Sequence, residues 1–460
     1  MNTSGLSRRQ FFKTAAKAAA AVSAPLIIPS RLLGADSPSN RVRVAHIGCG
    51  RIATGHDMPG VLNSGLADYV ALCDLDSNRV AQAKHFIQNF KTASDHPRPD
   101  IETYSNYREL LERKDIDAVV ISTPDHWHAQ LALAAIYAGK DVYLQKPMTM
   151  THAEGQALRD AIAKTDRIFQ IGSQQRSWVQ FRQACELVRS GRVGRLNRVE
   201  IGLPIDPTAP DSPEQPIPAN LDFNTWLGPT PEAYYTEQRV HPQNTVTTRP
   251  GWLRHEAHCL GMITGWGAHH YDTAHWAMDV EHTGPSRVEA TAEFPKNKIW
   301  NVHGAYHVEL DYPNNVKVVV TDKFNNGLKF IGDEGWIWVT RDSEVTPSDP
   351  TAKLSKAIKA LDASDPKLLD PNGLSVRLPV SKEHHLNWLE CVKSRNTPLA
   401  PAPIAHRSNA ACIISWIAMK LGRPLNWDPK AERFVNDDEA NSMLSLPQRG
   451  NFGIHSILKS

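Results

Sequence analysis

Val42-Arg43-Val44-Ala45-His46-Ile47 runs straight into Gly48-Cys49-Gly50-Arg51-Ile52-Ala53. An apolar run followed by G-x-G-x-x-A reads as a strand, a tight turn and a helix start. Gly48 permits the turn, Gly50 lets the backbone approach a pyrophosphate, and Ala53 leaves room for the helix to pack on its strand. Free N–H groups in the first helical turn, at Arg51 and Ile52, face the phosphates. The pattern alone is common. Here a second strand, Tyr69–Cys73, ends at Asp74, 24 residues beyond Gly50. An acid there accepts the hydroxyls of an adenosine ribose and repels a 2′-phosphate, which favours NAD over NADP. Arg79 nearby acts in the opposite sense.

The alternation continues. Ser77–Phe90 has a helical pattern, Ile116–Ser122 is an apolar strand, His128–Ala138 is a helix with Gly139 at its end, and Asp141–Leu144 is a strand. Strands and helices at this spacing imply a parallel sheet wound with helices. The texture changes after about residue 170. Tyr306–Tyr312 alternates cleanly and turns through Pro313-Asn314-Asn315 into Val316–Thr321, while Asn325-Asn326-Gly327 and Asp333-Glu334-Gly335 are hairpin signals. A largely antiparallel sheet is expected, followed by helices over Ser381–Lys393 and Ser408–Leu421 and an irregular tail after Pro424. With 460 residues, 41% hydrophobic and 22% charged, disorder, collagen and disulfide-scaffold classes are excluded. The six cysteines form no CxxC pair and read as buried thiols.

Residues 1–35 carry Arg8, Arg9, Lys13, Lys17 and Arg31 and no acid. Ser7-Arg8-Arg9-Gln10-Phe11-Phe12-Lys13 precedes an alanine-rich apolar run, Thr14 to Ile28. The segment resembles a twin-arginine export signal, with cleavage expected after Ala35. The run is too short, with Lys17 inside it, to span a bilayer, which needs about 20 apolar residues. The expectations are export to the periplasm or beyond, the twin-arginine machinery as a partner, and no stable membrane insertion. The rest of the chain has 46 basic and 49 acidic residues, so nothing attracts nucleic acid.

Two further motifs, Ser122-Thr123-Pro124-Asp125-His126-Trp127-His128 and Tyr143-Leu144-Gln145-Lys146-Pro147, follow the third and fourth strands. With the glycine loop and Gly261-Met262-Ile263-Thr264-Gly265-Trp266-Gly267-Ala268-His269-His270-Tyr271-Asp272, they resemble the glucose–fructose oxidoreductase, inositol dehydrogenase and MocA (Gfo/Idh/MocA) family. The resemblance covers the chain beyond residue 40. It implies an α/β chain: a Rossmann domain over residues 36–170, then an α+β domain over 171–460 with a large, mostly antiparallel open sheet. Pairing into dimers or tetramers through that sheet is a further implication.

In that family the lysine of a Glu-Lys-Pro motif lies beside the nicotinamide and the reacting sugar carbon, and Lys146 matches it. An ammonium there hydrogen-bonds the sugar hydroxyl and tunes proton transfer. His269 matches the histidine of the family's Asp-x-x-x-His-x-x-Asp helix motif and is the expected general base, with Asp272 on the same face. The sequence departs from the pattern at Gly265 and Gln145, each standing where the family has an acid. Gly48, Gly50, Arg51, Ile52, Asp74, Thr123, Pro124, His128, Gln145, Lys146 and Gln174 are the expected cofactor residues, and Arg176, His270 and Asp272 the expected substrate residues. No metal is expected, because the histidine spacings match no standard ligand pattern.

An exported dehydrogenase works where no pool of free NAD is expected, so the cofactor should be tightly held. One reading is a sugar or glycoside oxidoreductase. Another follows a branch of the same superfamily, exported glycosidases that oxidise C3 with bound NAD, eliminate the glycosidic bond, add water and return the hydride. That branch lacks the Lys-Pro motif present here. A third is a non-catalytic sugar-binding member.

Overall fold

The computed structural model describes residues 40–92, 98–341 and 359–458. The export-signal segment lies outside the described residues.

The first sheet comprises β1 (Val42–Ile47), β2 (Ala67–Cys73), β3 (Glu102–Tyr104), β4 (Ala118–Ile121), β5 (Asp141–Leu144) and β6 (Phe169–Ile171). Its order is β3-β2-β1-β4-β5-β6 with every pair parallel. β4 is buried at all positions, as a strand covered on both faces must be. The chain reverses direction across the sheet between β1 and β4, so their carboxyl ends open a crevice. Helix α1 (Ser77–Asn89) starts where the Asp76 side chain accepts from the Asn78 and Arg79 N–H groups, the usual N-cap device. Helix α2 (His128–Tyr137) packs on β4 and β5 through Leu131, Ala132, Ala135 and Ile136.

The second sheet is mixed and mostly antiparallel. It contains β7 (Leu196–Gly202), β8 (Arg287–Ala292), β9 (Tyr306–Asp311), β10 (Lys317–Thr321), β11 (Gly327–Gly332), β12 (Gly335–Val339), β13 (Leu361–Ala363), β14 (Leu425–Asp428) and β15 (Arg433–Phe434). The order is β13-β12-β11-β7-β10-β9-β8-β14-β15, and β7–β10 is its parallel pair. One face buries Val199, Val308, Leu310, Val318 and Phe330 beneath helices α3 (Val179–Arg189), α4 (Gly267–Met278) and α6 (Ala402–Leu421). On β8, β9 and β10 the other face carries the ion pairs Arg287–Glu289 and Lys317–Glu309. The tail is not irregular throughout: β14 pairs with β8 because Leu425 and Trp427 alternate inward.

Two C-terminal helices return to the first sheet. Helix α5 (His384–Ser394) inserts Trp388, Leu389 and Val392 beside Val42, Val44 and Tyr69. The start of α6 packs Ala402 and Ala405 against β5 and β6, and its remainder lies in the second core. All six cysteines are free and buried.

Candidate active site

A cleft of about 430 Å³ opens at the carboxyl ends of β1 and β4. Its floor is the glycine loop. Gly48 has φ +90°, and a Cβ there would lie 2.7 Å from the Ser122 carbonyl carbon. The residue is glycine because β1 and β4 converge on it. Gly50 differs: its φ is unexceptional, and an added Cβ meets no protein atom within 4 Å. Nothing in the fold asks for glycine at position 50, so the open space above it fits a phosphate cradle. Thr123, at the opposite lip, holds a buried Oγ1 without a hydrogen-bond partner. Gly48, Gly50, Arg51, Ile52, Asp74, Thr123, Pro124, Gln145 and Lys146 all line this cleft.

Asp74 sits at the end of β2, its two oxygens accepting from the Cys49 N–H at 2.6 Å and the Asp76 N–H at 2.9 Å. Burial pushes its carboxyl up, and those N–H groups oppose the shift. Over this end lies a strap from the segment between β7 and α4. It has its own small core of Leu221, Phe223, Trp226, Leu227, Tyr235 and Val240. It is tied down by Asp222 N–H to Leu75 O at 3.0 Å, Ser77 N–H to Asn220 O at 2.9 Å, and Asn220 and His241 to Asp76 at 2.8 and 2.9 Å. The Arg79 guanidinium donates to the Pro242 and Thr245 carbonyls, so it is committed to the strap rather than to a 2′-phosphate.

At the opposite end stands Lys146, half-buried after β5, its Nζ donating to the Gly265 carbonyl at 3.0 Å. The Lys146–Pro147 bond is cis. Burial lowers the ammonium to about 8, with Asp125 opposing and Arg341 assisting the shift. Asp125 lines the same cleft with Oδ2 unpartnered. Burial pushes its carboxyl up to about 7 against the pull of Lys146.

Gln145 replaces an expected acid, yet a negative charge is present behind it. Its Nε2 donates to Asp57 at 2.7 Å. Asp57 sits in a π-helical turn, Ala53–Asp57, fully buried, and also accepts from Ser122 Oγ and His385 Nε2. His385 spends its other nitrogen on Glu383. Burial disfavours its charge, but the two carboxylates raise it to about 9. His56, Asp57 and His385 cluster closely enough to hold an ion, and here Asp57 and Glu383 take both His385 nitrogens as hydrogen-bond partners. A second such cluster, His152, His406 and Glu432, has its carboxylate occupied by Arg159 and Arg407.

Six expected site residues, His269 among them, do not line the cleft. Arg176 is 3% exposed and forks onto Asp272, 1% exposed, at 2.7 and 2.9 Å, with Glu281 completing the pair. This ion pair ties α4 to the segment before α3 and leaves neither charge for substrate. His270 bonds Asn326 at 2.9 Å and faces Gln175. His128 is held between the carbonyls of Pro147 and Thr123, buttressing the motif from behind. Gln174 donates to Tyr143. All residues of α4 are buried, so the i, i+3 spacing does not say which face meets the cleft. His269 is buried with Nδ1 unpartnered, against the edge of Trp266, which does line the cleft. Burial, Arg341 and Lys146 hold it well below the ordinary histidine value. Sequence reasoning missed Asp57, Asp125 and the strap. Asp125 stands inside the Ser122–His128 motif, and an acid directly after Pro124 was the available signal.

Residues 42–173 match the model of the Gfo/Idh/MocA oxidoreductase family's NAD-binding Rossmann fold, and residues 209–454 that of its C-terminal alpha/beta domain. A glycosyl hydrolase family 109 protein of Shewanella pealeana is 31% identical over 178 residues, 35% of this chain and 38% of the relative. Inositol 2-dehydrogenase of Salmonella typhimurium is 30% identical over 150 residues, 32% of this chain and 42% of the relative. The chain thus spans about two fifths of the length of these curated relatives. In fold it is similar to the aldose-aldose oxidoreductase of Caulobacter crescentus, with a TM-score of 0.58 at 18% identity, covering 84% of this chain and 99% of that one. The two matched domains, in order and together covering most of the sequence, place this chain in the Gfo/Idh/MocA oxidoreductase family.

Proposed function

We propose that the chain oxidises a hydroxyl group of a sugar or glycoside with NAD held in the cleft between turnovers. The observation that carries this reading is one cleft with open space over Gly50 at one end and Lys146 at the other. Asp74 and the adjoining backbone would hold the adenosine ribose, Gly50 the pyrophosphate, and Thr123 and Pro124 the nicotinamide half. The nicotinamide supplies a hydride acceptor when bound. Lys146 donates to the substrate oxygen and settles the charge that develops as the hydroxyl loses its proton. His269 packs against the edge of Trp266 behind the cleft wall.

Two features support NAD and tight retention. Arg79 is spent on strap carbonyls, leaving Asp74 to meet the ribose. Opening the strap forfeits hydrogen bonds worth roughly 1 kcal/mol net each. Retention suits a chain exported through the twin-arginine route, which the Ser7–Lys13 motif supports. Fractionation of wild-type and Arg8→Lys/Arg9→Lys cells tests the route, and an unchanged distribution counts against it.

The relative named a glycosyl hydrolase favours a second reading, oxidation and return of the hydride within one turnover. One trace separates the two. The protein is mixed, without added cofactor, with free sugars and aryl glycosides, and absorbance is followed at 340 nm. A lasting rise supports net oxidation. A rise that decays as aglycone accumulates supports the hydrolytic reading, and no change with any compound counts against both.

A further inference from the structure

Lys146 in this chain has lost two acids that the family motifs would place around it, at 145 and 265. The fold replaces the first with Asp57 behind Gln145. The place of the second is open: the Gly265 carbonyl accepts from Lys146 Nζ, and a Cβ on Gly265 would meet no atom within 4 Å. The same cleft is lined by Asp125, carried by the segment after β4, 4% exposed, its Oδ2 buried and without a hydrogen-bond partner. Both residues line the cleft. Each acts electrostatically on the other, Lys146 favouring the Asp125 carboxylate and Asp125 the Lys146 ammonium.

We propose that Asp125 is the acid–base group of this cleft, a carboxylate supplied from the first domain in place of the acid missing at position 265, taking the substrate hydroxyl proton with Lys146 as its partner. The inference rests on the reading of the cleft as a sugar-oxidising site. The substrate O–H bond breaks and its proton joins an Asp125 oxygen. The electron pair left on oxygen closes the carbonyl as the carbon's hydride passes to the nicotinamide cofactor, the oxidant named above. Lys146 remains an ammonium and stabilises the oxygen throughout.

The surroundings favour this assignment over His269. Asp125 is faced by Lys146, Cys259 and Arg249, and Lys146 by Asp125, Arg341, Cys259 and Arg249. Burial among these groups brings the carboxyl close to neutrality, where a base both accepts and releases a proton. His269 does not line the cleft, and burial with Arg341 and Lys146 nearby holds it well below the ordinary histidine value.

The test has two readouts on the full chain. In the first, the amines are trace-labelled with acetic anhydride across pH, and Lys146 is followed by peptide mass spectrometry. The wild-type midpoint is expected near 8. Asp125→Asn removes the charge that supports the ammonium, so the midpoint falls by about one unit or more, and Asp125→Asn/Gly265→Asp brings it back up. An unchanged midpoint in Asp125→Asn overturns the pairing. In the second, the 340 nm rise is timed with D-glucose, myo-inositol and D-glucuronate as probes. Asp125→Asn slows it at least about 100-fold, the scale of a lost general base, and Gly265→Asp in the same chain recovers at least about tenfold. A wild-type rate in Asp125→Asn, or a loss that Gly265→Asp does not relieve, overturns the catalytic role. If none of the probes reduces the wild type, the oxidoreductase reading fails on its own, and the labelling still decides the pair.

Discussion

Alanine at positions 48 and 50 separates what the glycine loop does for the fold from what it does for the nucleotide. At Gly48 a methyl group would meet Ser122 and Thr123 backbone atoms at 2.7–2.8 Å, from a backbone at φ +90°. The left-handed conformation costs an L residue about 1–2 kcal/mol, and forcing two strands apart adds about 1–3 kcal/mol. Gly48→Ala should therefore lose about 2–5 kcal/mol of folding stability. At Gly50 the methyl group meets nothing, so nucleotide-free Gly50→Ala should stay within about 0.5 kcal/mol of wild type. The same methyl group fills the space that the proposed function assigns to the pyrophosphate. Overpacking of about 1–3 kcal/mol, now paid on binding, weakens NAD about 5- to 150-fold. Chemical denaturation of both variants gives the first quantity, and isothermal titration of nucleotide-free protein with NAD gives the second. A Gly50→Ala protein of full stability and wild-type affinity would refute the placement of the nucleotide over the loop.

Other outcomes follow from the same structure. Arg79→Ala unties the strap at Pro242 and Thr245, and bound nucleotide should leave about tenfold faster, as read by dialysis. Burial holds His46, His126 and His128 near 4 and His152, His255 and His270 near 3. These folded-state values lie below the unfolded 6.5, so the unfolded chain takes up protons first as pH falls. Their contribution is intact above 6.5 and is lost down to 4 and 3, at up to about 1.4 kcal/mol per pH unit for each histidine. His385 has the opposite sign: raised to about 9, its contribution is complete below 6.5 and is lost as pH rises through 9. The histidines outnumber it, so denaturation midpoints should drop steeply from pH 6.5 to 4, and flat midpoints there would contradict the burial. Lys146→Ala should cost turnover far more than His269→Ala, because Lys146 lines the cleft and His269 does not.

The nucleotide end was legible because its residues carry local signals. A strand must stop before Gly48-Cys49-Gly50, and Asp74 falls where the next parallel strand ends. Lys146 was legible through its motif. The helix Gly267–Met278 was not, since it is buried all round and its polar residues give no face. Arg176, Asp272 and His270 accordingly went to the protein's own partners. Asp57 was invisible because a π-turn, without a periodicity of its own, turns it inward. The strap has a small aromatic core and no repeat, and only its contacts with Leu75, Asp76 and Arg79 reveal what it covers. β14 and β15 are too short for alternation to register.

The central claim is that this cleft closes over NAD and keeps it. The direct measurement is to dialyse the purified protein exhaustively, denature it, and identify and count the released nucleotide by chromatography and mass spectrometry. About one NAD per chain is the predicted result. NADP in its place, or a protein that sheds all nucleotide during dialysis while remaining folded, would contradict the account.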